Sequence, residues 1–376
     1  MKYCGNCGHC NDDNARFCGE CGNALPVAAA SSSTSSTTSS STSYSSSTQA
    51  ASKPTWVDRI NNYVGNDRPA DLNWRVLFTN VMKKHSKSEA ENIFICGTKT
   101  TTPDLESVSQ QWPHPWLYSR VFLMFALAFA LLYVCCSTFA NTNALPGLIV
   151  VGSFTVPLTG LILFLEVNAY RNISLYDVAL IFLVGGCASL VATLFLFSIV
   201  GVSELDFTGA LTVGIVEEVG KGVIIYYFIK KLGKRNIFPG LLIGAAVGAG
   251  FAAFESAGYA MNFLLEFGWD AMLDVIFLRG FLAPGGHVAW AAITGAAMAI
   301  ASQKYDQISA SILTDGKFLK LFAIPVILHA LWDSPLANIG AEFYLLPIAL
   351  TFIVWVVVLI LINMALSEIA KHKTNY

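Results

Sequence analysis

Glu217, Glu218 and Lys221 stand together inside an otherwise apolar stretch, residues 207–229, and no other group in the chain is better placed to do chemistry. A charge at bilayer depth costs about 2.5–3.5 kcal/mol even on the mildest insertion scale, so such residues usually face a protein interior or a wet cavity and mark function. On a helix, Glu217 and Lys221 are i,i+4 neighbours and Glu218 and Lys221 are i,i+3, so one cation serves both acids. Two acids with one cation leave surplus negative charge, and crowding of like charges is a common route to a proton acceptor usable near neutral pH. A structural ion pair would use the same residues, with Gly214, Gly220 and Gly222 admitting a close neighbour. Chemistry therefore requires that partners converge on the pair from elsewhere in the chain.

Three further groups qualify. Phe254-Glu255-Ser-Ala-Gly-Tyr259 puts Glu255 and Tyr259 one turn apart on one helical face. Arg279 and His287 flank a Pro284-Gly285-Gly286 break, and His329 and Asp333 form another i,i+4 pair. Any one of these could be a hydrogen-bonded packing residue. All of them lie in apolar segments, which raises the question of how those segments are arranged.

The chain has 376 residues, 54% hydrophobic and 13% charged, against about 25% charged for soluble domains. This composition predicts an all-α, polytopic membrane helix bundle. Eight apolar segments are long enough for the ~20 residues a helical span needs: 119–140, 145–167, 174–200, 208–230, 238–265, 269–301, 317–336 and 343–366. Trp112, Trp116 and Tyr118 form an interfacial collar before the first. Basic residues (Arg171; Lys230 to Arg235; Lys304, Lys317 and Lys320; Lys371 and Lys373) alternate between spans with acidic ones (Glu204 and Asp206; Glu266 and Asp270; Glu342). The positive-inside bias then places both termini in the cytoplasm. At 1.5 Å per residue, the acids and histidines of all four groups reach the outer half of the bilayer.

In this order Glu217-Glu218-x-x-Lys221, Phe254-Glu255-x-x-x-Tyr259, the stretch from Arg279 to His287, and His329-x-x-x-Asp333 resemble the PrsW intramembrane proteases. Those bacterial enzymes resemble in turn the CAAX prenyl endopeptidases. The resemblance covers roughly residues 120–365. It implies peptide-bond hydrolysis of membrane-associated protein substrates in a prokaryotic plasma membrane, in the manner of a first cut in a membrane-bound anti-sigma factor on its extracytoplasmic side. Amide hydrolysis needs an activated water, a stabilised oxyanion and a proton for the leaving amine. Glu217 is the expected base, tuned by Glu218 and Lys221, while His329 and Asp333, or Tyr259, face the oxyanion or donate the proton. A metal-dependent version stays open, with Glu218, Glu255, His287 and His329 as a mixed nitrogen and oxygen zinc set, although the chain has no His-Glu-x-x-His motif.

The remaining modules precede the spans. Cys4-Gly-Asn-Cys7 and Cys18-Gly-Glu-Cys21 are paired knuckles whose four thiolates, Cys4, Cys7, Cys18 and Cys21, predict a structural zinc ribbon over residues 1–26. Cys10 is a surplus thiol and His9 a competing ligand. A closed four-thiolate site leaves no position for catalysis, so the ribbon is expected to hold a cytoplasmic protein partner. Residues 27–54 are Ser- and Thr-rich and predict a flexible tether. Residues 55–118 carry helical patterns beginning at Trp56 and Trp74, followed by a charged run, Lys83 to Lys87; residues 119–367 form the membrane domain and 368–376 a tail. Residues 1–21 lack the apolar core of an export signal. A net charge of -2 without any long basic block gives no reason to expect nucleic acid. A transporter, or a non-catalytic receptor using the ribbon, is the alternative from another class. A transporter usually carries two corresponding broken helices, and this sequence has one.

Overall fold

The computed structural model describes residues 54–202, 204–338 and 343–374, together with a two-stranded antiparallel pairing of β1 (Lys2–Tyr3) with β2 (Cys10–Asn11). Cys4, Cys7, Cys18 and Cys21 and the tether lie outside the described residues. From Pro54 onward the chain is one helical unit.

Every apolar segment read from the sequence is helical. The bundle comprises α3 (Leu117–Ser137), α4 (Leu145–Val167), α5 (Leu175–Leu180) running through a π turn into α6 (Gly186–Val200), and α7 (Phe207–Leu232). It continues with α8 (Ile237–Phe267), α9 (Trp269–Leu282), α10 (His287–Ser302), α11 (Gly316–Asp333) and α12 (Leu345–Thr374). Among the described residues six spans are long and apolar enough to cross a membrane, counting α9 and α10 as one. The two segments outside that set are α7 and α11. They fall short because they carry Glu217, Glu218 and Lys221 in one case, and Lys317, Lys320 and Asp333 in the other.

Helix α8 is the axis of the bundle. Its most apolar window is 94% buried, whereas that of α3 is 6% buried and faces outward. Gly240, Gly244 and Gly248 recur every fourth residue along α8, and α10 packs directly onto that strip. A Cβ at Gly244 would fall 2.0 Å from the Ala291 carbonyl oxygen, and one at Gly248 would fall 2.3 Å from that of His287. Small residues let the two backbones touch, the usual device for close helix packing in membranes. The close approach holds the first residue of α10, His287, against the middle of α8.

Two helix starts are capped from a distance. The first backbone N–H groups of a helix have no partner of their own. For α3 the Glu166 carboxylate, at the end of α4, accepts from the N–H groups of Trp116, Leu117 and Tyr118, each at 2.8 Å. For α8 the Glu368 carboxylate on α12 accepts from Ile237 N–H at 2.9 Å.

Before the bundle, α1 (Trp56–Val64) forms as expected, begun by a capping box between Thr55 and Asp58. The Trp74 pattern yields only a short 3-10 turn, Trp74–Phe78, and the second α-helix is α2 (Lys87–Phe94), which begins at the last residue of the charged run. Ser86 and Glu89 make a reciprocal capping box there, which starts a helix that charge composition alone does not announce. The separate tail expected from residue 368 is instead the last turns of α12.

Candidate active site

Helix α7 places its charged face inward. Glu218 and Lys221 are fully buried and Glu217 is 7% exposed. Lys221 Nζ lies 2.7 Å from Glu218 Oε1 and 3.7 Å from Glu217 Oε2. The cation also stands 2.9 Å from His287 Nδ1 and 4.5 Å above the Phe251 ring. Lys221 therefore serves chiefly Glu218, and Glu217 is left with little.

The other three groups converge on this pair. His287, freed to begin α10 by the break at Ala283–Gly285, turns Nδ1 to within 3.9 Å of Glu217 Oε2 and Nε2 to 3.0 Å from Glu255 Oε2. His329, in the last turn of α11, turns Nε2 to 3.6 Å from Glu217 Oε2 and Nδ1 to 2.9 Å from Glu218 Oε1. Asp333, one turn on, lies 3.2 Å from His329 Nε2. Each imidazole thus ties one nitrogen to Glu255 or Glu218 and turns the other to the Glu217 side, where Lys221 Nζ stands closer to His287 Nδ1 and Asp333 closer to His329 Nε2 than Glu217 does. Such a pairing fixes tautomer and ring orientation in histidines that bind metals.

Two oxygens of the cluster, Glu217 Oε2 and Glu218 Oε2, are buried without a hydrogen-bond partner, and of these Glu217 Oε2 stands between the two histidines. Lys221, His287 and His329 surround it at 3.6–3.9 Å. A buried oxygen without a partner is costly and calls for an occupant. Glu217, His287 and His329 each offer one donor atom, and the three atoms lie within 4.8 Å of one another. Two imidazoles and a carboxylate around one point match the donor set of catalytic zinc sites. The residues present fit a metal. The set differs from the expected one, however, because Glu218 and Glu255 stand behind the histidines and Glu217 stands in front.

Tyr259 and Arg279 lie to one side. The Arg279 guanidinium is bound to Glu255, donates from Nε to Ser256 Oγ at 2.8 Å, and sits 4.5 Å above the Tyr259 ring. Tyr259 is 45% exposed. Two contributors escaped the sequence reading. Trp290 stacks on His329 at 4.4 Å between ring centroids, and Phe251 carries the Lys221 ammonium. Trp290 follows His287 by three residues on one helical face, and that spacing could have revealed it.

The family model described as PrsW family intramembrane metalloprotease matches residues 175–362, half of the chain. The chain belongs to the PrsW family. Comparison with curated proteins and with solved structures gives no match. The matched region begins at α5 and ends within α12, so it contains every member of the PrsW cluster described above. Family membership makes this chain a multi-pass membrane protease acting on membrane-protein substrates, and the family's description as a metalloprotease is consistent with a metal in the chain.

Proposed function

We propose that the chain hydrolyses peptide bonds of membrane-protein segments at this cluster, using a divalent ion of the zinc class held by Glu217, His287 and His329. The reading rests on Glu217 Oε2, buried without a partner and facing a nitrogen of each histidine. When bound, the ion supplies an activated water and a Lewis acid for the scissile carbonyl. Everything else is done by side chains. Glu218 accepts from His329 Nδ1–H and Glu255 from His287 Nε2–H, so each ring keeps its other nitrogen unprotonated on the Glu217 side, where His287 Nδ1 accepts from the Lys221 ammonium at 2.9 Å. Lys221 neutralises Glu218, which leaves one carboxylate in front with charge to spare. Asp333 is the most open acid of the cluster, its side chain 27% exposed, and it takes the proton released by the attacking water and passes it to the leaving amine. Tyr259 and Arg279 border the space on the Glu255 side and hold the substrate carbonyl oxygen.

The cluster serves the outward half of the bilayer. It lies where α7 and α10 begin and α8 and α11 end, with Glu217 about 15 Å along α7 from Phe207. Glu204, Asp206, Glu266 and Asp270 mark that end, and Lys230, Lys231, Lys234 and Arg235 the other, so the positive-inside bias turns the cluster outward with both termini cytoplasmic. This is the side on which a membrane-bound anti-sigma factor of the kind implied by the family would present its cleavage site. It requires all eight helical segments, α7 and α11 included, to cross the membrane.

The proximity of Lys221 Nζ to His287 Nδ1, 2.9 Å, favours a second reading in which a cation is already in place and Glu217 itself takes the proton from water. Metal content separates the two. In the first, purified wild-type protein holds one ion at this cluster in addition to any in the cysteine ribbon, chelation abolishes cleavage, and Glu217→Gln protein holds one ion fewer. Equal metal content in wild type and Glu217→Gln, with cleavage that survives chelation, would overturn the first reading and leave the second.

A further inference from the structure

At the opposite end of the bundle a cavity of about 590 Å³ opens between α1, the start of α8, the start of α11 and the end of α12. Ile237 lines it and lies about 27 Å along α8 from Glu255, so the cavity is distinct from the histidine cluster. Arg68, Lys317, Lys320 and Lys371 rim it, all exposed. Among the described residues none of the four takes part in a salt bridge. Two acids are present. Glu368 is already committed to Ile237 N–H, Asn236 and Gln303 at 2.7–3.2 Å, and Asp67 is exposed. Lys320 is held in place, its Nζ 4.6 Å above the Tyr63 ring while the Tyr63 hydroxyl donates to its carbonyl oxygen. Leu321 and Met364 give the same cavity an apolar lining.

A concave rim of four cations without salt bridges among the described residues, beside apolar lining from Leu321 and Met364, at a helix-bundle end where basic residues gather, suits a ligand with an anionic head and an apolar body. We propose that this cavity binds the phosphate-bearing headgroup of an anionic membrane lipid. Arg68 approaches from the loop after α1, Lys317 from α11 and Lys371 from α12, so an occupying phosphate ties the juxtamembrane segment to the bundle. Basic pockets between spans on the cytoplasmic side are established headgroup sites in other membrane proteins. Phosphate is the shared chemistry of two sources, lipid and free anion, and the test distinguishes them.

The full-length protein, purified in neutral detergent, is melted with phosphatidylglycerol, with phosphatidylcholine at the same mole fraction, and with inorganic phosphate, while native mass spectrometry counts retained lipids. Phosphatidylglycerol is expected to raise the apparent melting temperature by several degrees and to remain as one retained lipid, whereas phosphatidylcholine does neither. Raising the salt to about 1 M, where the Debye length falls to about 3 Å, should remove the effect. The triple variant Arg68→Gln, Lys317→Gln, Lys371→Gln should melt like wild type in detergent alone and lose the phosphatidylglycerol shift. A shift with inorganic phosphate equal to that with lipid would assign the site to a soluble anion and overturn the lipid source. Equal responses of wild type and triple variant to phosphatidylglycerol would overturn the site altogether.

Discussion

Lys221→Met is the substitution whose cost the structure defines best. The ammonium is fully buried, 2.7 Å from Glu218 Oε1, and Met fills nearly the same volume, so packing changes little and the effect is electrostatic. At an effective dielectric constant of about 20, charges at the 2.7 Å separation of this pair attract by about 6 kcal/mol. Much of that attraction offsets the cost of burying the two groups. Removing one partner leaves the other desolvated and unopposed, a loss of about 3–5 kcal/mol. Purified wild type and Lys221→Met protein, unfolded in mixed micelles by increasing SDS and followed by helical circular dichroism, should differ by that amount. Adding Glu218→Gln to Lys221→Met removes the stranded charge while keeping an acceptor for His329, and should recover most of the loss. A single variant within about 1 kcal/mol of wild type, the worth of an exposed pair, would refute the buried-pair argument. So would a double variant less stable than the single one.

Three other outcomes are expected. Gly244→Ala must push α8 away from the Ala291 carbonyl and should cost about 1–3 kcal/mol together with most of the cleavage activity, whereas Gly316→Ala, with nothing within 4 Å of its Cβ, should change neither in the same unfolding and cleavage assays. Asp315 accepts from Lys317 N–H at 2.8 Å and from Lys304 Nζ at 3.2 Å, and that backbone hydrogen bond above all holds its carboxyl below the ordinary value. Because the folded value is depressed, its contribution is fully present above about pH 3.9 and is lost as pH falls through the folded value. Asp315→Asn should therefore lower the melting temperature at neutral pH and converge with wild type in acid. Asn338→Cys in intact cells should react with a membrane-impermeant maleimide above the wild-type background, and Lys234→Cys should not; the reverse pattern would invert the topology.

Much of this fold is written in apolar run lengths, which is why all eight helical segments of the bundle can be found in the sequence. The site is legible for the opposite reason: charges inside such runs are expensive, and Glu217, Glu218 and Lys221 stand out without any structure. What spacing cannot convey is which of two adjacent acids receives the cation. A rotation of about 100° per residue sends Glu217 and Glu218 to different neighbours, and those neighbours arrive from α10 and α11. The sequence marked Glu217 as the base and left Glu218 and Glu255 open as donors in a metal-dependent version, and it is the helices that set Glu217 between His287 and His329. The two long-range caps have no local signal at all, since Glu166 and Glu368 serve helices 48 and 131 residues away. The box at Ser86 and Glu89 was present in the sequence but obscured by the lysines around it.

The position of Lys221 also bears on how this chain is made. His329, the other partner of Glu218, lies 111 residues further along. At the usual pace of translation that is a delay of about 5–20 s. On the proposed topology α7 resides in or beside the lipid throughout that interval with its acids unmatched by any later helix, when each charge at mid-membrane costs about 2.5–3.5 kcal/mol. A counter-charge encoded one turn away on the same helix is there as soon as the acids are, so the segment enters as a partly neutralised unit. The proposed site gains His329 and Asp333 only when α11 follows, so its last two members arrive well after its first three.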